Sequence, residues 1–253
     1  MRGPCARLIN KRLSARRKAC PILGQCAVSS RQCEETAMHR VKSLPVYLRE
    51  RYDHWKQSSF PENSDWFRKL AIEGQHPKAM VIACCDSRVA VTSMFGQRTG
   101  ELFVHRNIAN LVPPYTPDGK HHGTGAAIEF AVSFLKVEHI LVMGHSRCGG
   151  VRGCIDMCRG EAPALDAPGS LVGRWLDVLR PAYGRVADVQ SLEDRQTALE
   201  KEGVQLSLEN LLGYPFVAEA VDAGRLTLHG LWTDIADMDL ETFDGTVRHF
   251  VKT

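Results

Sequence analysis

No stretch of this 253-residue chain approaches the ~18 consecutive apolar residues of a membrane-crossing helix, so no helical membrane span is expected. Internal repeats and low-complexity segments are also missing, which excludes a stacked-repeat architecture. Acidic residues are absent from residues 1–33, which carry eight basic ones: Arg2, Arg7, Lys11, Arg12, Arg16, Arg17, Lys18 and Arg31. Without them the chain has 24 basic against 29 acidic residues, a net −5 in place of the overall +3. The body is therefore mildly acidic, and nucleic-acid binding is not indicated for it. For the basic head, residues 1–37, three readings stay open: a disordered tail, an upstream extension of a chain that starts at Met38, or a targeting segment. Its Arg-rich, acid-free composition suits an organelle presequence, whereas Gly24 and Gln25 interrupt any secretory core. Cysteine is not scarce, but nine in a chain this long is an odd number and no disulfide scaffold. A thiolate metal site suits a reducing compartment better than an oxidising one, and a cytoplasmic location is expected.

The remaining composition, 44% hydrophobic and 24% charged, is that of an ordinary soluble globular protein. Residues 38–253 are read as a single domain. Leu44, Tyr47, Leu48, Tyr52 and Trp55 recur at helical spacing and predict an amphipathic helix over 42–59. Asn63 or Ser64 could cap a second helix through Leu70. Strands are predicted at 79–83, 101–104, 139–143 and 226–231, with a terminal hairpin of 239–243 and 246–250 around Asp244-Gly245. Helices are predicted at 123–136, with Ala126, Ala127, Phe130 and Phe134 along one face, and at 149–159, 170–180 and 191–212. Strands that alternate with helices predict an α/β fold, a parallel sheet covered on both faces.

Two short runs carry the chemistry. Cys84-Cys85-Asp86-Ser87-Arg88 and His145-Ser146-Arg147-Cys148 each follow a short apolar segment, which places both at the ends of buried strands. Sites in open α/β sheets form beyond the carboxyl ends of strands. His145 and Cys148 are three residues apart on one tight turn, and Cys84 comes from the neighbouring strand. Two Cys and one His make three ligands for Zn2+ and leave the fourth position open for water, the pattern of a catalytic site. Alone, either run could be buried core cysteines or a hydrogen-bonded loop histidine; both together favour a metal. Asp86 lies two residues after a ligand, where Arg88 can grip it by a bidentate ion pair and lower its pKa. Gly144-His145-Ser146-Arg147 also resembles the start of a Gly-x-Ser-x-Gly nucleophile elbow, but the fifth position is Cys148, whose Cβ would crowd that turn. Cys154 and Cys158, four apart, could form one helical face for a second metal, but helix packing or solvent exposure is the favoured reading.

Cys84-x-Asp86-x-Arg88 followed by His145-x-x-Cys148 resembles the signature of the β-class carbonic anhydrases. The likeness extends to residues 100–110 and 123–130 and covers roughly 42–250. It implies four parallel strands with an added antiparallel strand, and dimers or higher homo-oligomers. It implies zinc on Cys84, His145 and Cys148, an Asp86–Arg88 catalytic dyad, and reversible hydration of CO2 to bicarbonate by a zinc-bound hydroxide. Gln75 matches a substrate-pocket glutamine supplied across a dimer, Phe103 a pocket phenylalanine, and Phe130 a position often held by tyrosine. Some members carry a regulatory bicarbonate pocket of Trp, Arg and Tyr; the matching positions here are Val81, Arg106 and Thr233, so that pocket is expected to be lacking. Hydrolysis of carbonyl sulfide or carbon disulfide on the same fold, and a catalytically silent zinc-binding module, are the alternatives. No nucleic-acid or membrane partner is implied.

Overall fold

A computed structural model describes residues 41–117 and 122–253; the basic head 1–37 lies outside the described residues. The strands are β1 (Ala79–Cys84), β2 (Leu102–Asn107), β3 (His139–His145), β4 (Thr227–Thr233), β5 (Leu240–Asp244) and β6 (His249–Lys252). They form one sheet in the order β2-β1-β3-β4-β5-β6. The pairs β1–β2, β1–β3 and β3–β4 are parallel, while β4–β5 and β5–β6 are antiparallel. The four-stranded parallel core is as expected, and the expected terminal hairpin, β5 and β6, extends it by two antiparallel strands where the resemblance implied one. Strands β1 and β3 are buried along nearly their whole length, which their unbroken apolar sequence requires. The chain leaves β1 toward β2 on one side and leaves β3 toward β4 on the other. The carboxyl ends of β1 and β3 therefore flank the topological switch point, where such sheets hold their ligands.

Alternation along β1 divides the core. Met80 and Ile82, with Ile140 and Val142 of β3, pack against Ile128, Val204, Leu211 and Val217. These come from the helices α2 (His122–Glu129), α4 (Leu192–Leu212) and α5 (Pro215–Asp222). Val81 and Ala83 point the other way and meet Val89, Val91, Met143 and Leu231. Helix α3 (Gly149–Cys158) follows β3 directly.

Several elements differ from expectation. One helix, α1 (Val46–Glu73), replaces the two expected at the N-terminal side and runs through Pro61. Proline removes one backbone donor from a helix interior. Ser58 Oγ donates to the His54 carbonyl at 2.8 Å and Asn63 Nδ2 to the Ser59 carbonyl at 3.1 Å, on either side of Pro61. Among the described residues, 41–65 and 66–253 fall in two separate compact units. Helix α2 passes into a π-helical segment, Phe130–Leu135, closed by Lys136 in the left-handed region at φ 56°. Its buried side is Thr124, Ile128, Ala131 and Val132; of the expected face Ala127 packs partly buried against the same core, while Ala126, Phe130 and Phe134 are exposed. The smaller and branched residues fit the sheet, and the rings of Phe130 and Phe134 stack on each other outside, 5.6 Å apart. Helix α5 was not expected; Pro215 occupies its first turn, where the missing N–H costs nothing. Strand β6 begins three residues later than predicted because Asp244 Oδ1 accepts the N–H groups of Thr246 (2.8 Å) and Val247 (3.4 Å), drawing both into the turn. Among the described residues no helix is long and apolar enough to cross a membrane.

Candidate metal centre

Cys84 is the last residue of β1 and His145 the last of β3; Cys148 is the N-cap of α3. All three are buried, and one ligand atom from each lies within 4.8 Å of the others. The two sulfurs are 3.9 Å apart. Two sulfurs ~2.3 Å from a common ion at a tetrahedral angle would be ~3.8 Å apart, so the spacing fits zinc. His145 Nδ1 lies 2.9 Å from the Ser146 carbonyl, which can only accept, so Nδ1 carries the proton and Nε2 keeps its lone pair. That Nε2 is the one buried side-chain nitrogen or oxygen without a hydrogen-bond partner among the described residues. A buried, unpaired acceptor turned toward two thiols is what a metal ligand requires.

The sulfurs compete for one proton. The neighbouring Cys148 thiol, with the N–H groups of Asp86 (3.4 Å) and Ala109 (3.3 Å), holds Cys84 toward the thiolate against the opposing effect of burial. Cys148 keeps its proton because Cys84 is beside it and because it is itself buried. A dication held between them would end this competition, since a coordinating thiol is deprotonated outright.

Close packing makes the turn possible. A Cβ on Gly150 would come within 2.7 Å of Ile108 Cγ2, so only glycine lets the first turn of α3 sit against the 108–110 segment, whose Ala109 N–H serves Cys84. Arg106, on β2, donates from Nε to the Cys84 carbonyl (2.8 Å) and from Nη2 to the Asp86 carbonyl (2.7 Å), which fixes the run after β1. Asp86 accepts from Arg88 at both oxygens, and the side-chain hydrogen bonds from Arg88 hold its carboxyl well below the usual carboxylate range.

The structure thus brings together Cys84, His145, Cys148, Asp86 and Arg88. Phe103 and Phe130 adjoin each other, with ring centroids 5.9 Å apart, beside the edge strand β2. Gln75 is exposed in the loop before β1. Ser146 is buried, and its Oγ accepts the Ile235 N–H at 2.9 Å, so it is no exposed nucleophile. Cys154 is fully buried in the core, and Cys158 lies 3.7 Å from Arg180 Nη1. Sequence reasoning missed Glu200, a buried carboxyl that accepts the Cys148 N–H at 2.9 Å. Burial raises its pKa, opposed by the hydrogen bonds from Cys148, Gln196 and Trp232. It sits inside a long helix with no motif around it, and only the packing of α4 on β3 reveals its place.

An open three-ligand zinc site at the switch point of an α/β sheet defines a metal-dependent enzyme that activates water. A family model described as Carbonic anhydrase matches residues 79–240. The chain is 41% identical over 184 residues to beta carbonic anhydrase 3 of Arabidopsis thaliana, covering 72% of this chain and 69% of that one. Its fold is similar to the solved β-carbonic anhydrase CcaA, with a TM-score of 0.75, 31% identity, and coverage of 86% of this chain and 92% of that one. It is also similar to a structure described as one of two tetrameric β-carbonic anhydrases of Sordaria macrospora, with a TM-score of 0.64, 30% identity, and coverage of 78% and 94%. The chain belongs to the β-class carbonic anhydrases, catalyses the zinc-dependent reversible hydration of CO2, and carries in Cys84, His145 and Cys148 a group able to hold that zinc.

Proposed function

We propose that Cys84, His145 and Cys148 hold the zinc at which CO2 is hydrated and that Asp86, gripped by Arg88, orients the attacking water. The observation that carries this reading is the unpaired, buried Nε2 of His145 facing two sulfurs. Zinc held there supplies the Lewis acidity that lets water act as a nucleophile near neutral pH. The protein supplies orientation. Asp86 Oδ2 accepts one hydrogen bond, from Arg88 Nη2 at 2.7 Å, and keeps a lone pair for a proton of the reacting water. Because its pKa is depressed, Asp86 stays an acceptor throughout the working range. Stopped-flow assays of zinc-replete protein test the reading: rapid CO2 hydration is expected, with carbonyl sulfide and carbon disulfide turned over far more slowly. A chain that binds zinc and hydrolyses those two faster than it hydrates CO2 would contradict it.

The active form is proposed to be a homo-oligomer, with Gln75 reaching a partner's pocket and Phe103 and Phe130 lining one for CO2 and bicarbonate. Support comes from exposed apolar side chains beside the edge strand: Val104, Ile108, Phe130 at 44% and Phe134 at 69% exposure. The Sordaria macrospora relative is described as tetrameric. Sedimentation is expected to show at least a dimer that Phe134→Glu weakens; a fully active wild-type monomer at assay concentration would contradict this. A cytoplasmic location is supported by the need of the site for reduced thiols. Fractionation of cells expressing the full chain checks it.

A further inference from the structure

Behind the thiol–imidazole group lies a carboxyl that the chemistry above leaves unused. Glu200 is only 2% exposed. Its Oε1 accepts the Cys148 N–H at 2.9 Å and Gln196 Nε2 at 3.1 Å, and its Oε2 accepts the Trp232 Nε1–H at 3.3 Å. Gln196 also donates to the Cys148 carbonyl at 3.4 Å. One acceptor thus ties together α4, the end of β4 and the residue from which α3 starts. Gly144 makes the approach possible: a Cβ there would lie 2.8 Å from Val204 Cγ2 and 3.4 Å from the Glu200 carbonyl.

A carboxyl is a costly acceptor for one backbone N–H. Burial away from water disfavours it, and no Lys or Arg hydrogen-bonds to it among the described residues. A serine hydroxyl or a backbone carbonyl would satisfy the N–H more cheaply. What the carboxyl adds is fixity: two oxygens anchored from three sides, with the Cys148 backbone locked to one of them.

We propose that Glu200 is a positioning residue for the zinc, fixing the Cys148 backbone so that Sγ stays at ligand distance from Cys84 and His145. The inference rests on the zinc reading. Partners of metal ligands change metal affinity about 10- to 100-fold when lost. Glu200→Gln is the informative variant. Its amide oxygen can face Cys148 only if its NH2 faces the Trp232 N–H, donor against donor. Trp232→Phe removes that conflict.

Zinc affinity is measured by chelator competition under reducing conditions, and the Co2+-loaded forms are compared by thiolate-to-cobalt absorption. Glu200→Ala and Glu200→Gln should each bind zinc about tenfold or more weakly and shift the cobalt band. Glu200→Gln/Trp232→Phe should recover most of the affinity relative to Trp232→Phe alone. If Glu200→Ala fails to fold, the near-isosteric Glu200→Gln series decides. Variants that lose thermal stability but keep wild-type affinity and an unshifted cobalt band overturn the proposal and leave the zinc reading intact. A wild-type chain that takes up no zinc overturns both.

Discussion

Arg88 grips Asp86 with two side-chain hydrogen bonds, Nε to Oδ1 at 2.9 Å and Nη2 to Oδ2 at 2.7 Å. The same Nη2 reaches the Arg147 carbonyl at 3.1 Å, in the turn between His145 and Cys148. The Asp86 carboxylate is therefore oriented by a cation that is itself fixed to the ligand-bearing turn.

This coupling predicts that the pair fails as a unit. Asp86→Asn should retain zinc and lose about 100-fold or more of the hydration rate, the scale for removing one oriented group from a reacting centre. Arg88→Ala should do much the same, because an unrestrained Asp86 can swing onto the metal and take the place of water. Turnover measured with zinc content in both single variants and the double variant checks this; near-additive losses would contradict coupling.

Bicarbonate should act as a simple product, without cooperative inhibition. At the positions of the regulatory pocket of some family members, Val81 is fully buried in β1 and Thr233 closes β4, with no aromatic side chain at either. Arg106 is engaged with the carbonyls of Cys84 and Asp86. A ligand without differential affinity for two states cannot shift their equilibrium. The expected result is hyperbolic saturation by bicarbonate and a gradual pH–rate curve. A steep, cooperative loss of activity below neutral pH that added bicarbonate deepens would contradict it.

The chemistry of the site was legible because it is local. Two ligands three residues apart, and an acid and an arginine two apart, are written in consecutive residues at the ends of apolar runs. What was illegible depends on packing. The exposed side of α2 could not be read from spacing, because Ala126, Phe130 and Phe134 recur as regularly as Thr124, Ile128 and Ala131, and only the sheet selects the second set. Two helices were expected, over 42–59 and from Asn63 or Ser64, yet one helix continues through Pro61. Strand β3 was expected to end at 143, but it runs to His145, whose backbone pairs with Thr233 of β4. Glu200 acts across 52 positions of sequence, beyond any local pattern.

Residues 1–37 are expected to be dispensable for catalysis. They lie outside the family match at 79–240, and they carry eight basic residues before the first acid, Glu34. A chain begun at Met38 should fold and turn over CO2 at the rate of the full chain. A large loss in stopped-flow turnover on truncation would show that the head contributes to the active form.

One zinc, held by Cys84, His145 and Cys148, is proposed to carry the activity. The most direct measurement is metal content and CO2 hydration together, in the full chain and in Cys148→Ala. The expected result is one zinc per chain in the wild type, and in the variant a loss of zinc and of hydration in parallel, with a lower unfolding temperature because metal binding is coupled to folding. A Cys148→Ala protein that keeps its zinc and its wild-type hydration rate would contradict it.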